Sequence, residues 1–211
     1  MEGVDKTFAP ILGLPVVIHT IDRFELSPLV HQIVLVVAKG SLGRARELIR
    51  QRGYKKVTSV FPGGRRRQDS VRLGLEQLSA CDWVMVHDGA RPCLDDAMLE
   101  RGMEAAMEHG SAIAGMPVKD TMKLVTSTQM VKETPDRSLL WAAQTPQIFR
   151  YRDLWDAHHS SSNDVTDDAA MIEALGYPVK MFLGSYENIK VTTADDLIIA
   201  ETFLKSSSHR Q

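Results

Sequence analysis

Cysteine is scarce in this chain. Its 211 residues include only Cys81 and Cys93, and the pair does not have CxxC spacing. The composition fits a reducing compartment in which both thiols are structural. Long apolar runs are also missing: no stretch approaches the roughly 18 to 20 residues that a spanning helix requires. The opening MEGVDKTFAPILGLPVV carries acidic residues and prolines where a secretion signal has a basic start and a clean apolar run. These absences lead to a cytoplasmic reading. Nor is there surplus positive charge. The formal net charge is −2 and the pI about 6.4, which sets nucleic acid aside as a main partner. No G-x-S-x-G, H-E-x-x-H or P-loop GKS/T is present, and no G-x-G-x-x-G follows a strand. The last absence discounts a dinucleotide-binding oxidoreductase.

What is present is a globular composition, 44% hydrophobic and 25% charged, of a length suited to a single domain over residues 1–211. Apolar β-branched blocks alternate with helical patterns. Gln32 to Val37, Val57 to Phe61, Trp83 to His87, Ala112 to Val118 and Val179 to Leu183 read as strands. The continuous apolar character of WVMV suggests burial on both faces, as in a parallel sheet. Pro15 to Phe24, Leu42 to Gln51, Ser70 to Leu78, Asp95 to His109 and Asp167 to Leu175 have helical spacing. Asp95 is placed to cap its helix. Thr193 to Asp196 has capping-box spacing before a last helix reaching about Lys205, followed by a frayed tail. The alternation predicts a three-layer α/β fold. One stretch breaks it: Lys119 to Phe149 reads as a hairpin arm turning near Ser127 to Gln129. It is too polar for a core of its own, and a second copy of the chain is the economical surface for it.

In an open α/β sheet, ligands sit beyond the carboxyl ends of the strands. Four polar clusters fall there: Pro62 to Ser70, His87 to Pro92, Lys119 to Lys123, and Asn188 to Thr192. Their glycines, hydroxyls, carboxylate and cations suit a polyanion with a divalent metal. Gly63-Gly64 permits close backbone approach, but an ordinary strand-to-helix turn explains the pair more simply. Arg65-Arg66-Arg67 fits a partly solvated basic face better than three ligand contacts. Ser70 reads equally as a cap or as a partner for a base. Asp88, directly after an apolar strand, reads equally as a Mg²⁺ ligand beside a phosphate or as a turn residue before Gly89. Arg91 fits best as a tie for its own loop, through backbone carbonyls. Lys190 is unusual within Ile-Lys-Val unless its ammonium reaches a crevice. His158-His159, lacking a third ligand at metal spacing, reads as a solvated helix end. The tryptophans read as core or arm packing.

With these clusters assembled, the chain resembles the methylerythritol phosphate cytidylyltransferases of the non-mevalonate isoprenoid pathway. The resemblance rests on Asp5-Lys6, GLPVVIHT, GGRRRQDSV, VHDGARP, PVKDTMK, Asp136-Arg137, LWAAQTPQIF, TDDA and NIKVT, in the family's order along the chain. It implies a Rossmann-like nucleotidyltransferase fold, a mostly parallel central sheet and a protruding β-arm over about residues 119–149 that makes a homodimer. The implied substrates are CTP and 2-C-methyl-D-erythritol 4-phosphate, with Mg²⁺ as cofactor. The implied roles are residue by residue. Lys6 stabilises charge around the triphosphate, Gly64 and Ser70 lie around the cytosine, and Asp88 lies near the ribose, the α-phosphate and the metal. Thr121, Arg137 and Thr145 hold the polyol phosphate, with Arg137 reaching the neighbouring subunit's site. Lys190 aligns the attacking phosphate with the α-phosphorus.

The family opens with a strand and a glycine-rich A-A-G-x-G-x-R-M loop whose N–H groups cradle the triphosphate. Met1 matches the final letter of that motif. The expectation is that the strand and loop exist in the molecule, since a sheet deprived of a central strand exposes two edges and loses core. Two other readings stand beside the first. One is a relative acting on ribitol phosphate or another pentitol phosphate, and the other is a nucleotide-binding homologue without turnover.

Overall fold

The computed structural model describes residues 6–79, 81–160 and 165–208. A 3-10 turn over Lys6–Phe8 leads into the short antiparallel pair β1 (Pro10–Ile11) and β2 (Leu14–Pro15), then α1 (Val16–Leu26). Strand and helix then alternate through β3 (Ile33–Val37), α2 (Leu42–Arg52), β4 (Val57–Pro62), α3 (Arg67–Leu75), β5 (Trp83–Val86), α4 (Asp96–His109) and β6 (Ser111–Pro117). The exposed hairpin β7 (Leu124–Val125) and β8 (Val131–Glu133) follows, then β9 (Trp141–Arg150), α5 (Tyr151–Ser160), α6 (Ala169–Ala174), β10 (Lys180–Leu183) and α7 (Ala194–Ser208). Asp5 and the tail beyond Ser208 lie outside the described residues.

The central layer comes in two pieces. One is four-stranded in the order β10-β6-β9-β5, and the other is the parallel pair β3-β4. Within the larger piece β9 alone runs against its neighbours. Side chains alternate across it as the strand period requires. Ala112, Ala114 and Ile148 pack under α4, while Ile113, Phe149 and Val84 meet α3, α5 and α6 on the other face. Helix α4 lies close to the sheet because Gly102 has no side chain; a Cβ there would meet Phe182 Cζ at 2.7 Å and Ile148 Cδ1 at 2.8 Å. Helix α1, with Val17, Ile18 and Ile21 buried, packs with Phe8, Val37 and Ala45. Between the two pieces, β3 and β5 pair on one side only and face a cavity of about 730 Å³. Its walls are largely apolar side chains of α1, β3, α3 and β5, and its lining also takes in Ser70, Arg67 and Asp88.

Capping proceeds as the sequence suggests. Met98 N–H donates to Asp95 Oδ1 at 2.8 Å, and Thr193 and Asp196 bond reciprocally at the start of α7. Three expectations need correction. Helix α3 begins at Arg67, ahead of Ser70, because Asp69 accepts from the Arg66 N–H and pairs with its guanidinium. The stretch 119–149 is not all arm: Thr145 to Phe149 is buried, with Gln147 to Phe149 paired between β5 and β6, so one strand serves both arm and core. Helix α7 continues to Ser208, past Lys205.

Candidate active site

The site begins where β5 ends. Because β9 runs antiparallel and pairs Gln147 with Val86, Thr145 arrives beside the residues that follow β5. Its hydroxyl accepts from the Asp88 N–H at 3.0 Å and faces His87 Nδ1 at 3.1 Å. The other ring nitrogen of His87 faces the Arg91 carbonyl at 3.1 Å. Since a carbonyl can only accept, Nε2 carries the hydrogen and Nδ1 accepts from Thr145. Burial pushes the His87 pKa down to about 4, which keeps the ring neutral.

The loop after β10 closes over this corner. Asn188 is fully buried and donates to the Thr145 carbonyl at 2.8 Å. Its own carbonyl accepts from Arg91 Nη1 at 2.8 Å, and Val191 N–H donates to the Ala90 carbonyl at 2.8 Å. From the other side, the Thr20 hydroxyl of α1 donates to the Gly89 carbonyl at 3.1 Å. Among the described residues, the buried amide oxygens of Gln147 and Asn188 have no hydrogen-bond partner.

Asp88 is the centre of this arrangement. Its Oδ2 lies 3.0 Å from Lys190 Nζ and 3.4 Å from Arg91 Nε, and its Oδ1 lies 3.7 Å from Arg67 Nε. Burial works to raise its pKa, but Lys190, Arg67 and Arg91 outweigh that and hold it below the usual carboxylate range. Three cations from three separate stretches therefore meet one carboxylate at the mouth of the cavity.

The expected residues divide into two groups. Asp88, Thr145 and Lys190 come together within hydrogen-bonding reach. Gly64 and Ser70 stand on the neighbouring loop, where Gly64 N–H donates to Ser70 Oγ at 3.1 Å and Ser70 donates to the Arg66 carbonyl at 3.2 Å. The glycines there have a packing reason, since Cβ atoms on Gly63 and Gly64 would meet Ser70 Oγ at 2.6 Å and Asp69 Cβ at 2.3 Å. Lys6 lies one residue before Thr7, whose methyl is 3.4 Å from where a Cβ on Gly89 would stand; no hydrogen bond or ion pair joins its ammonium to Asp88. Thr121 and Arg137 are exposed at the arm, where Arg137 Nη1 donates to the Lys119 carbonyl at 2.9 Å, and neither bonds to the Asp88 group of its own chain.

Sequence reasoning misread two residues. Arg67 is not part of a solvated basic face. It turns inward to Asp168 Oδ2 at 2.6 Å, while Arg65 stays exposed and Arg66 pairs with Asp69. Burial opposes the Arg67 charge, but Asp168 and Asp88 more than offset it. His158 is not at a solvated helix end; it is buried and faces Asp168 Oδ1 at 3.0 Å. The available signal was the distribution of Arg-Arg-Arg around a helix start, where only one side chain can face the sheet. Arg91 does tie its loop to a backbone carbonyl and touches Asp88 as well.

Magnesium fits here only in part through the protein. Among the described residues no group of three or more potential metal-ligating side chains occurs. Asp88 lines the cavity and offers one carboxylate, and Mg²⁺ commonly takes one or two carboxylates with the remainder from phosphate and water. The donor set therefore suits an ion that arrives with a phosphorylated ligand.

Comparison with known proteins identifies the family. Residues 1–206 match the family model described as 2-C-methyl-D-erythritol 4-phosphate cytidylyltransferase. The chain is similar to the protein of that name from Dehalococcoides mccartyi strain 195, at 45% identity over 97% of this chain and 90% of the relative. It is 46% identical to the one from Syntrophotalea carbinolica, over 96% and 89%. Among solved structures, the 4-diphosphocytidyl-2C-methyl-D-erythritol synthase of Anaerococcus prevotii superposes with a TM-score of 0.86 at 27% identity, over 97% of this chain and 92% of that one. The Thermus thermophilus cytidylyltransferase gives 0.79 at 29% identity, over 95% and 94%. A sheet edge that gathers Asp88, Thr145 and Lys190, carried on a chain alike along almost its whole length, places this protein in the 2-C-methyl-D-erythritol 4-phosphate cytidylyltransferase family.

Proposed function

We propose that this enzyme transfers the cytidylyl group of CTP to 2-C-methyl-D-erythritol 4-phosphate, releasing pyrophosphate. The observation that carries the reading is Asp88, held at the end of β5 by Thr145 and met by Lys190 at 3.0 Å, on a chain of this family. An oxygen of the polyol phosphate attacks the α-phosphorus of CTP, and the bond from that phosphorus to the bridging oxygen of the β-phosphate breaks. The nucleophile is already an anion, so no general base is required, and His87 is held neutral by burial and bonded at both nitrogens. The protein's work is positioning and placing cations where charge collects.

In this reading Lys190 leaves Asp88 to align the attacking phosphate with the α-phosphorus. Asp88 takes a place beside the ribose, the α-phosphate and Mg²⁺. When bound, the ion screens the repulsion between the two anions and stabilises departing pyrophosphate. Gly64 and Ser70 face the cytosine, Lys6 serves the triphosphate, and Thr145 with Thr121 holds the polyol phosphate. Arg137 serves the site of a second copy. The exposed Leu124, Val125, Val131 and Leu139 of the arm support a homodimer formed through it. Both substrates are soluble phosphates, consistent with a cytoplasmic enzyme.

A cytidylyl-transfer assay offering methylerythritol phosphate and ribitol phosphate in parallel tests the assignment. The expected result is a clear preference for the first. Preference for ribitol phosphate, or CTP binding without turnover of either, would overturn it.

A further inference from the structure

Three cations meet Asp88, and they are not held alike. Arg91 is anchored away from the carboxylate by the Asn188 carbonyl at 2.8 Å, and Arg67 by Asp168 at 2.6 Å. Lys190 has a half-exposed side chain, and among the described residues its only ion pair or hydrogen bond is with Asp88. Two of the holders are therefore fixed to the scaffold and the third is free to leave. Behind Arg67 the chain of contacts continues inward. Asp168, fully buried before α6, has both oxygens engaged, Oδ2 by Arg67 and Oδ1 by His158 Nε2 at 3.0 Å. His158, on α5, is itself buried. A carboxylate so deep in the protein is tolerable only when paired, and its outward connection is the guanidinium that reaches Asp88.

We propose that Arg67 is a positioning residue for the transfer reaction. The buried Asp168–His158 pair clamps its guanidinium, so that Asp88 keeps its orientation when Lys190 leaves it for a phosphate. This rests on the roles given above to Asp88 and Lys190. A planar guanidinium can face two carboxylates on different edges at once, which a single ammonium does less well. The arrangement explains why one arginine of the Arg65-Arg66-Arg67 run is turned inward, across 101 residues of sequence, instead of lying in solvent.

The test compares Arg67→Met, Arg67→Lys, Asp168→Asn and the double variant Arg67→Met/Asp168→Asn. It reads kcat and KM for both substrates, Tm, and calorimetric binding of CTP with magnesium in the absence of polyol phosphate. Misplaced Asp88 should lower kcat about ten- to a hundredfold in Arg67→Met, with weaker CTP binding and an almost unchanged KM for polyol phosphate. Arg67→Lys should recover little of that loss. Asp168→Asn should show a smaller loss of the same kind, and adding it to Arg67→Met should change kcat no further, because both act through one contact. Losses that multiply in the double variant would overturn the proposal. Asp168→Asn keeps an acceptor for Arg67 and carries the test if Arg67→Met does not fold; a lowered Tm with unchanged kcat and CTP binding then overturns it. Asp88→Asn separates the two levels. Wild-type turnover in that variant removes the underlying site reading, whereas a defective Asp88→Asn beside a fully active Arg67→Met removes the positioning role alone.

Discussion

Around Asp88, side chains from α1, α3, the loop after β5, β9 and the loop after β10 bond to one another. In the β7–β8 hairpin, by contrast, every strand residue faces solvent. The first region is specified several times over by a single chain. The second has Leu124, Val125, Met130 and Val131 exposed, and its polar contacts are local, such as Thr126 N–H to the Met130 carbonyl at 2.9 Å. The strand β9 links them: Trp141 to Ala143 is exposed, and Thr145 to Phe149 is buried. The contrast suggests a division of labour. In the proposed reading the Asp88 region aligns CTP, while the arm presents Thr121 and Arg137 to the polyol phosphate of a second copy.

The most forceful way to break this comparison is to remove the one detachable cation. Lys190→Ala should lower kcat about a hundred- to a thousandfold, the scale of losing one group that stabilises developing charge. Its Tm should barely move, because the Lys190 side chain is 45% exposed and such pairs add about 0–1 kcal/mol. Turnover and Tm measured on the same preparation check this, and equal losses of both would contradict it. On the arm, Arg137→Ala should raise KM for the polyol phosphate about tenfold, one charge-assisted contact's worth. CTP affinity should stay the same, and a CTP defect of similar size would refute the division of labour.

A third experiment asks whether the arm is an interface. Val131→Asp together with Leu139→Asp should shift the protein to the single-chain mass in sedimentation without lowering Tm beyond what dimer loss entails. An unchanged mass would mean that the exposed apolar side chains are not the contact.

The smallest effect is an acid limb in stability. The folded pKa of His87 is depressed, to about 4 from 6.5. Between these values the unfolded chain therefore binds the extra proton, and stability falls as pH drops from about 6.5 toward about 4. The full span corresponds to about 3 kcal/mol as an upper figure. Asp88, also depressed, adds a loss at lower pH, below the ordinary carboxylate range. His87→Gln should flatten the first part of the curve in denaturation between pH 7 and 4; an unaltered slope would show that another group sets it.

Much of the fold was legible because its periods are clean. The block expected over Ala112 to Val118 is the buried strand β6, and Asp95 and Thr193 announce their helices. WVMV is a strand, but it pairs antiparallel with β9 alone and only Val84 is buried, so the doubly buried, parallel reading of it is corrected. Asp88 was half legible: a lone carboxylate after an apolar strand stands at the ligand edge of such a sheet, but it read equally as a turn residue, and its partners Arg67, Arg91 and Lys190 come from far apart in the fold. The double character of β9 was not legible. LWAAQTPQIF looks uniform in sequence, and only pairing with β5 and β6 separates its exposed half from its buried half. The Arg67–Asp168–His158 chain was hidden for another reason. Three consecutive arginines are equivalent until the helix start fixes which one points inward, and their partners lie far along the sequence. The pairing of His158 with a buried acid contradicts the reading of a solvated end because α6 folds back over α5.

In the proposed reaction Asp88, clamped by Arg67 and Arg91, is the fixed point around which Lys190 and the substrates arrange. A crystal structure with CTP and magnesium tests this most directly. Lys190 should be turned from Asp88 toward phosphate oxygens, with the metal beside Asp88 and Arg67 still bonded to Asp168. CTP seated away from Asp88, or Arg67 released from Asp168 to follow the phosphates, would contradict it.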